Sequence, residues 1–198
     1  RFKSIYETNV NGTLNLIESL DKYCDCFMQF GTASEYGNGS IPHSEKSPLK
    51  PNTPYAYSKA CASMQGIMMS DTYKLPIITA RLFSVYGPQC SLSFVSNLIE
   101  SSKQGKTFKV SYGQKTRDFI YIEDVIDAIV KLSTKENVTG EVFNICTGKE
   151  TSLKNFALEF NKQLKEPLEI EFSEKKVPQN DILRNLGDPS KIKNLLNW

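Results

Sequence analysis

The chain has 198 residues, 39% hydrophobic and 23% charged, with a formal net charge of +2 from 24 basic and 22 acidic side chains. That length allows one domain or one and a half, and that balance belongs to a globular protein rather than a disordered tail or a membrane protein. With no basic block, no long apolar run and no signal-like N-terminus, the expectation is a cytoplasmic chain that partners neither nucleic acid nor membrane.

The chain opens inside a helix. From Ser4 to Leu20, apolar residues at Ile5, Val10, Leu14, Ile17 and Leu20 fall close to helical spacing. Cys26 to Phe30 reads as a buried strand ending at Gly31. Gly37 to Pro54 is rich in Gly, Pro, Ser and Asn and reads as a loop. A helix from Tyr55 to Tyr73 leads to a strand over Pro76–Phe83 and a second loop over Ser84–Cys90. Next come a helix near Phe94–Lys103, short strands at Phe108–Val110 and Phe119–Ile122, and a helix from Glu123 to Leu132. A strand over Glu141–Cys146, a helix over Ser152–Leu164, a strand over Leu168–Phe172 and a helix over Pro189–Leu196 close the chain. Strands alternating with helices predict an α/β fold with a mainly parallel sheet.

A dinucleotide-binding fold carries G-x-G-x-x-G, or a close variant, between its first strand and helix. No such run exists here. Either the fold does not bind dinucleotides or its first units lie outside this chain, in which case the chain alone is expected to bind NAD(P) weakly. The five cysteines (Cys24, Cys26, Cys61, Cys90 and Cys146) and the single His43 do not assemble a metal-ligand set. They read as reduced thiols, and no metal is expected.

Tyr55 and Lys59 form Tyr-x-x-x-Lys at the start of a predicted helix, a spacing that places both on one face. A free tyrosine titrates near ~10 and is a poor base at neutral pH, but a nearby cation favours the phenolate. The pair thus has the makings of a general acid/base. On spacing alone it reads equally well as the flank of an amphipathic helix. Context shifts the balance. Thr32, in Phe30-Gly31-Thr32-Ala33-Ser34-Glu35-Tyr36-Gly37, closes a predicted strand, and strand C-termini line the ligand crevice of a parallel sheet. Its bland alternative is a turn or cap residue. Arg117, in Thr116-Arg117-Asp118-Phe119-Ile120-Tyr121-Ile122-Glu123-Asp124-Val125, precedes a strand and suits a diphosphate through its planar fork. A surface ion pair with Asp118 or another acid accounts for it equally well on position alone.

Together these segments resemble the extended short-chain dehydrogenase/reductases, the NAD-dependent epimerase/dehydratase family. The matching pieces occur in family order across nearly the whole chain: Asn9-Val10-Asn11-Gly12-Thr13, Gly31-Thr32 through Gly37, Pro54-Tyr55 through Lys59, Arg81 through Pro88, Arg117 through Val125, Phe143-Asn144-Ile145 with Thr147-Gly148, and Gly187 through Lys191 with Leu196-Asn197-Trp198. The resemblance implies the C-terminal part of a Rossmann-type doubly wound parallel sheet plus a smaller α/β substrate-binding domain. It places the second half of the Rossmann-type dinucleotide-binding domain, with the catalytic residues, at 1–85, its Gly-rich cofactor half lying outside this chain. Most of the nucleotide-sugar-binding portion falls at 86–198, some segments of which return to the first domain.

The resemblance also implies roles. Tyr55 is the catalytic acid/base, and Lys59 anchors the nicotinamide ribose of NAD or NADP while lowering the Tyr55 pKa. Thr32 holds the reacting sugar oxygen. Asn9 and Phe83 touch the dinucleotide, Ser84 takes a substrate-contacting position usually held by Asn, and Arg117 meets the diphosphate. A second phosphate arginine is replaced by Pro178, leaving Lys175, Lys176 and Arg184 as alternatives. Family 4,6-dehydratases carry an acid two residues after the catalytic Thr, where this chain has Ser34, following Ala33. That disfavours dehydration and leaves hydride chemistry at C4. The Gly-Thr-Ala-Ser-Glu-Tyr-Gly segment resembles 4-keto-6-deoxy-sugar reductases, and the segment around Arg117 is equally at home in 4-epimerases. A non-catalytic dinucleotide-binding role is the outlying alternative, and a homodimer is the expected state of the intact protein.

Overall fold

The structure, a computed structural model, describes residues 2–20, 24–91, 93–173, 175–178 and 181–198. Helix α1 (Phe2–Tyr6) runs through a π-helical turn (Glu7–Asn11) into α2 (Gly12–Glu18). Then come β1 (Phe27–Thr32), a 3₁₀ turn (Ala33–Tyr36), α3 (Pro54–Tyr73), β2 (Ile77–Leu82) and β3 (Ser84–Tyr86). The second half contains α4 (Phe94–Gln104), β4 (Phe108–Val110), β5 (Thr116–Arg117), β6 (Phe119–Tyr121), α5 (Ile122–Ser133), β7 (Val142–Ile145), β8 (Thr151–Ser152), α6 (Leu153–Lys162), β9 (Ile170–Phe172), β10 (Arg184–Asn185) and α7 (Ser190–Leu196).

The central sheet has the order β1-β2-β7, parallel throughout, with Thr32 opposite Leu82 and Leu82 opposite Ile145. β2 is the middle strand and five of its six residues are buried, as its apolar run requires when both faces are covered. Side chains alternate across a strand, and here the alternation sorts the two helical layers. Ile78 and Ala80 join Val125, Ala128, Leu132 and Phe143 in one core with α5. The opposite face carries Gln29, Gly31, Ile77 and Arg81 against α3: a Cβ on Gly66 would come within 1.9 Å of Gln29 Oε1, and one on Gly31 within 3.1 Å of Ser63 Oγ. This is the doubly wound arrangement. A second core, of Leu98, Phe108, Val110, Ala157 and Leu168, joins α4 and α6 to the parallel β4–β9 pair.

Helix α3 can approach the sheet closely because its buried face is built from Ala56, Ala60, Ala62, Ser63, Gly66 and Ser70. It begins where Thr53 accepts the Ala56 N–H at 3.1 Å with Pro54 in the first turn. It ends at Lys74, whose left-handed backbone (φ 58°) breaks the helix ahead of Pro76.

Three features differ from the expectation. The N-terminal helix is interrupted by a π turn, and Thr13 Oγ1 donates to the Asn9 carbonyl there at 2.7 Å. Ser84–Tyr86, expected as loop, is a strand parallel to Phe119–Tyr121. The two-residue strands β5, β8 and β10 form a small mixed sheet. Pairings this short depend on long-range partners and leave no periodicity to find.

The 37–54 segment is tied down through His43. Its N–H donates to Leu186 O, and its carbonyl accepts from the Asp188 N–H and Asn144 Nδ2, each at 2.8 Å. The ring is fully buried and stacks on Tyr36 at 4.8 Å. Burial pushes the imidazole pKa down, the Ser40 backbone offsetting part of the shift, so the folded protein holds it neutral. The unfolded chain binds that proton below about pH 6.5, so stability is complete above that pH and falls as acid is added toward the depressed folded value. His43 is the chain's one histidine, which makes the slope attributable. Urea midpoints of wild type should fall between neutral pH and about pH 5, and His43→Phe should flatten that fall while keeping the stack. An unchanged slope in the variant would assign it to carboxylates.

Candidate active site

β1 ends in a capping box. Thr32 Oγ1 accepts the Ser34 N–H at 3.3 Å, and the Glu35 carboxylate accepts the Thr32 N–H at 2.8 Å. The cap alternative for Thr32 is therefore realised, and its hydroxyl also meets Tyr55. Beneath it lies a polar network closed to solvent. Glu35 is 0% exposed, accepts Ser63 Oγ–H at 3.0 Å and pairs with Arg81 Nε at 2.9 Å. Arg81 Nη1 donates to Tyr36 Oη at 3.0 Å, and that hydroxyl donates to Asn144 Oδ1 at 2.7 Å. The chain of contacts reaches β1, β2 and β7 beneath the strand ends: charge-assisted bonds tie Glu35 to the Thr32 N–H and to Arg81, and the neutral Tyr36–Asn144 hydrogen bond extends them to β7.

Tyr55 and Lys59 extend from the first turns of α3. Partial burial raises the Tyr55 pKa, a hydrogen bond with Thr32 opposes the rise, and the charge of Glu35 adds to it. The phenol is therefore protonated at neutral pH. Burial lowers the Lys59 pKa and the Glu35 carboxylate opposes this. Contrary to the expectation, Lys59 does not offset the Tyr55 rise. Spacing of four aligns the two Cβ atoms, but it does not fix where a flexible ammonium points.

Thr32, Tyr55, Lys59, Phe83, Ser84 and Arg117 all line one cleft of about 560 Å³, at the C-terminal ends of β1 and β2. Its charged lining residues are Lys59, Lys115 and Arg117, all cationic. Phe83 is 7% exposed and packs with Ala33, Tyr36 and Cys146. Ser84 opens β3, its N–H bound to Asp118 O at 2.9 Å. Arg117 lies in β5 itself and donates to Thr116 O at 2.7 Å. Burial lowers its pKa while Asp181 raises it, and the guanidinium remains a cation. The alternative ion pair with Asp118 is not formed. That carboxylate is fully buried and accepts Thr147 N–H, Thr147 Oγ1–H and Gly148 N–H at 2.7–2.9 Å.

Asn9 is the predicted site residue that the cleft does not include. Its Nδ2 donates to Ser58 Oγ at 2.9 Å, and Ser58 in turn donates to the Tyr55 carbonyl. The π turn points this side chain at the first turn of α3, so it braces the helix bearing Tyr55 and Lys59.

Sequence reasoning passed over Glu35, although Thr32-Ala33-Ser34-Glu35 is a legible capping box. It passed over Arg81 and Lys115 because burial of a single charged side chain leaves no mark in one sequence. Of the alternatives for a second phosphate cation, Arg184 is bound to Glu150 through contacts of 2.7 and 2.6 Å, and Lys175 and Lys176 are exposed and outside the cleft.

The sequence pattern of the NAD dependent epimerase/dehydratase family matches residues 2–146. The dTDP-D-glucose 4,6-dehydratase of Homo sapiens is 32% identical over 80% of this chain and 46% of its own length. The UDP-glucose 4-epimerase of Mycolicibacterium smegmatis is 29% identical over 96% of this chain and 62% of its own. The crystal structure of UDP-glucuronic acid 4-epimerase from Bacillus cereus, in complex with UDP-glucuronic acid and NAD, superposes with a TM-score of 0.87 at 31% identity, covering 98% of this chain and 62% of that one. The chain thus spans roughly half to three-fifths of these relatives. No helix among the described residues is long and apolar enough to cross a membrane.

Proposed function

The chain belongs to the NAD dependent epimerase/dehydratase family, and on that footing we propose that it takes part in NAD(P)-dependent hydride chemistry at C4 of a nucleotide-linked sugar, as a reductase of a 4-keto-6-deoxy sugar. The observation that carries this is the convergence of Thr32, Tyr55 and Lys59 with Arg117 in one cation-lined cleft. The donor set fits a nicotinamide ribose, because Lys59 forms no direct ion pair among the described residues, the nearby Glu35 being committed to Arg81, and lies on the Tyr55 face of α3. Lys59 would hold the ribose hydroxyls, with Phe83 as an apolar wall. Bound NAD(P) would supply the hydride.

The protein's own part is protonic and positional. Tyr55, protonated at neutral pH, donates its Oη proton to the C4 oxygen, and Thr32 orients that oxygen through its hydroxyl. Arg117 pairs with the diphosphate, and Ser84 offers the sugar a hydroxyl. Dehydration is disfavoured because it needs an acid beside the sugar. Positions 33 and 34 are Ala33 and Ser34, and the neighbouring Glu35 is 0% exposed and committed to Arg81, Ser63 and the Thr32 N–H.

A 4-epimerase is the second reading, favoured by the presence of 4-epimerases among the relatives. Absorbance separates the two. A reductase consumes one reduced cofactor per sugar, so the intact protein with a 4-keto-6-deoxy nucleotide sugar should give a steady fall in NAD(P)H signal. A flat trace alongside C4 inversion of a UDP-hexose, followed by NMR, would promote the epimerase.

A homodimer is proposed on the exposed apolar strip of Phe2, Tyr57, Met64 and Met68 along α1 and α3. Met64→Lys with Met68→Glu should then give a monomer in sedimentation, and a wild-type monomer would remove the idea.

A further inference from the structure

Lys115 has no assigned part in the site, yet its placement is unusual for a lysine. It is 9% exposed and lines the same cleft as Tyr55, Ser84 and Arg117. Its ammonium forms an ion pair with Asp181 and lies 4.7 Å from the centre of the Tyr112 ring. A lysine so enclosed loses hydration that a single carboxylate only partly restores. That carboxylate is itself 38% exposed and lines a second hollow together with Arg117, Ser34 and Asn52. Asp181 also raises the Arg117 pKa, so one partly exposed carboxylate faces two cations of the cleft wall.

A sugar nucleotide brings a doubly anionic diphosphate to this cleft, and Arg117 alone neutralises half of that charge. We propose that Lys115 is the second diphosphate-binding cation and that Asp181 is a resident counter-ion which the diphosphate displaces. This rests on the diphosphate reading of Arg117 and extends it. Binding then exchanges one ion pair for another inside the cleft: the ammonium leaves the Asp181 carboxylate for a phosphate oxygen, and the carboxylate turns to solvent, where its hydration repays the loss. The exchange explains how a lysine can be stored charged beneath a cleft wall without a ligand's help. It also makes Asp181 a brake on affinity, so its removal should improve binding.

The test is calorimetric titration of the intact protein with UDP, GDP, CDP and dTDP, each compared with its monophosphate. Lys115→Gln should weaken the diphosphate that binds best by about ten- to a hundredfold, the range for one charge-assisted hydrogen bond, and affect the monophosphate less. Lys115→Arg should restore most of the affinity. Asp181→Asn should tighten diphosphate binding by several-fold, and this gain should be smaller in the Lys115→Gln background, where only Arg117 is left to be freed. Opposite signs at two residues in direct contact are not produced by a merely structural pair, which would weaken binding and lower the melting temperature in both variants alike. That parallel loss, or unchanged diphosphate affinity in Lys115→Gln while Arg117→Ala weakens it, would overturn the role of Lys115 and leave Arg117 standing. Unchanged affinity in Arg117→Ala would overturn the diphosphate reading itself, and this inference with it.

Discussion

Tyr55→Phe is expected to lower turnover by about 10²–10⁴-fold, the range for loss of a general acid/base, while leaving cofactor affinity nearly unchanged. The substitution removes one hydroxyl from a half-exposed side chain at the cleft and disturbs no core contact, so the fold should persist. What goes is the proton donor hydrogen-bonded to Thr32. Lys59→Met should separate from it by impairing both turnover and cofactor affinity, since Lys59 has a ribose to hold as well. Stopped-flow and steady-state kinetics on the intact protein, with fluorescence titration of the cofactor, distinguish the two. Near-normal turnover of Tyr55→Phe on the true substrate would remove Tyr55 from the chemistry.

The second large effect concerns stability. Arg81→Met should destabilise the protein by about 3–5 kcal/mol, because it leaves Glu35 charged with no cation in a site closed to water. Against a typical margin of roughly 5–15 kcal/mol, that is enough to threaten folding. The partner losses compound it: Tyr36 Oη loses a donor, and the guanidinium that sits 4.9 Å over its ring is gone. Removing both charges, in Glu35→Gln with Arg81→Met, should cost less than the sum of the single changes, since each single variant includes the penalty of an orphaned partner. Urea unfolding of the single and double variants measures this. Additive losses would mean that the pair is not coupled as its 2.9 Å contact implies.

Long, regular elements were legible in the amino-acid order alone. The helix at Pro54–Tyr73, the strands at Ile77–Leu82 and Val142–Ile145 and the helix at Ile122–Ser133 were each foreseen to within a few residues. Their propensities, apolar runs and breakers act over single turns or strands, and a linear pattern records such forces. The chemical types in the site were legible for the same reason. Thr32 closes a strand and Tyr55 opens a helix, so strand–turn–helix order alone directs both to the same end of a parallel sheet.

Tertiary structure decided the rest. Short strands such as Ser84–Tyr86 and Thr116–Arg117 exist because a distant segment pairs with them, and no local propensity encodes a partner more than thirty residues away. Only the packed fold withdrew Asn9 from the cleft to Ser58, tied Arg184 to Glu150 and buried Lys115 beside Arg117. It also set the direction of the Tyr55 shift, upward through burial rather than downward through Lys59. The physical reason is common to all four. The free energy of a charged or polar group is set by how much water the fold takes from it and which partner it is given in return, and both are properties of three-dimensional neighbours.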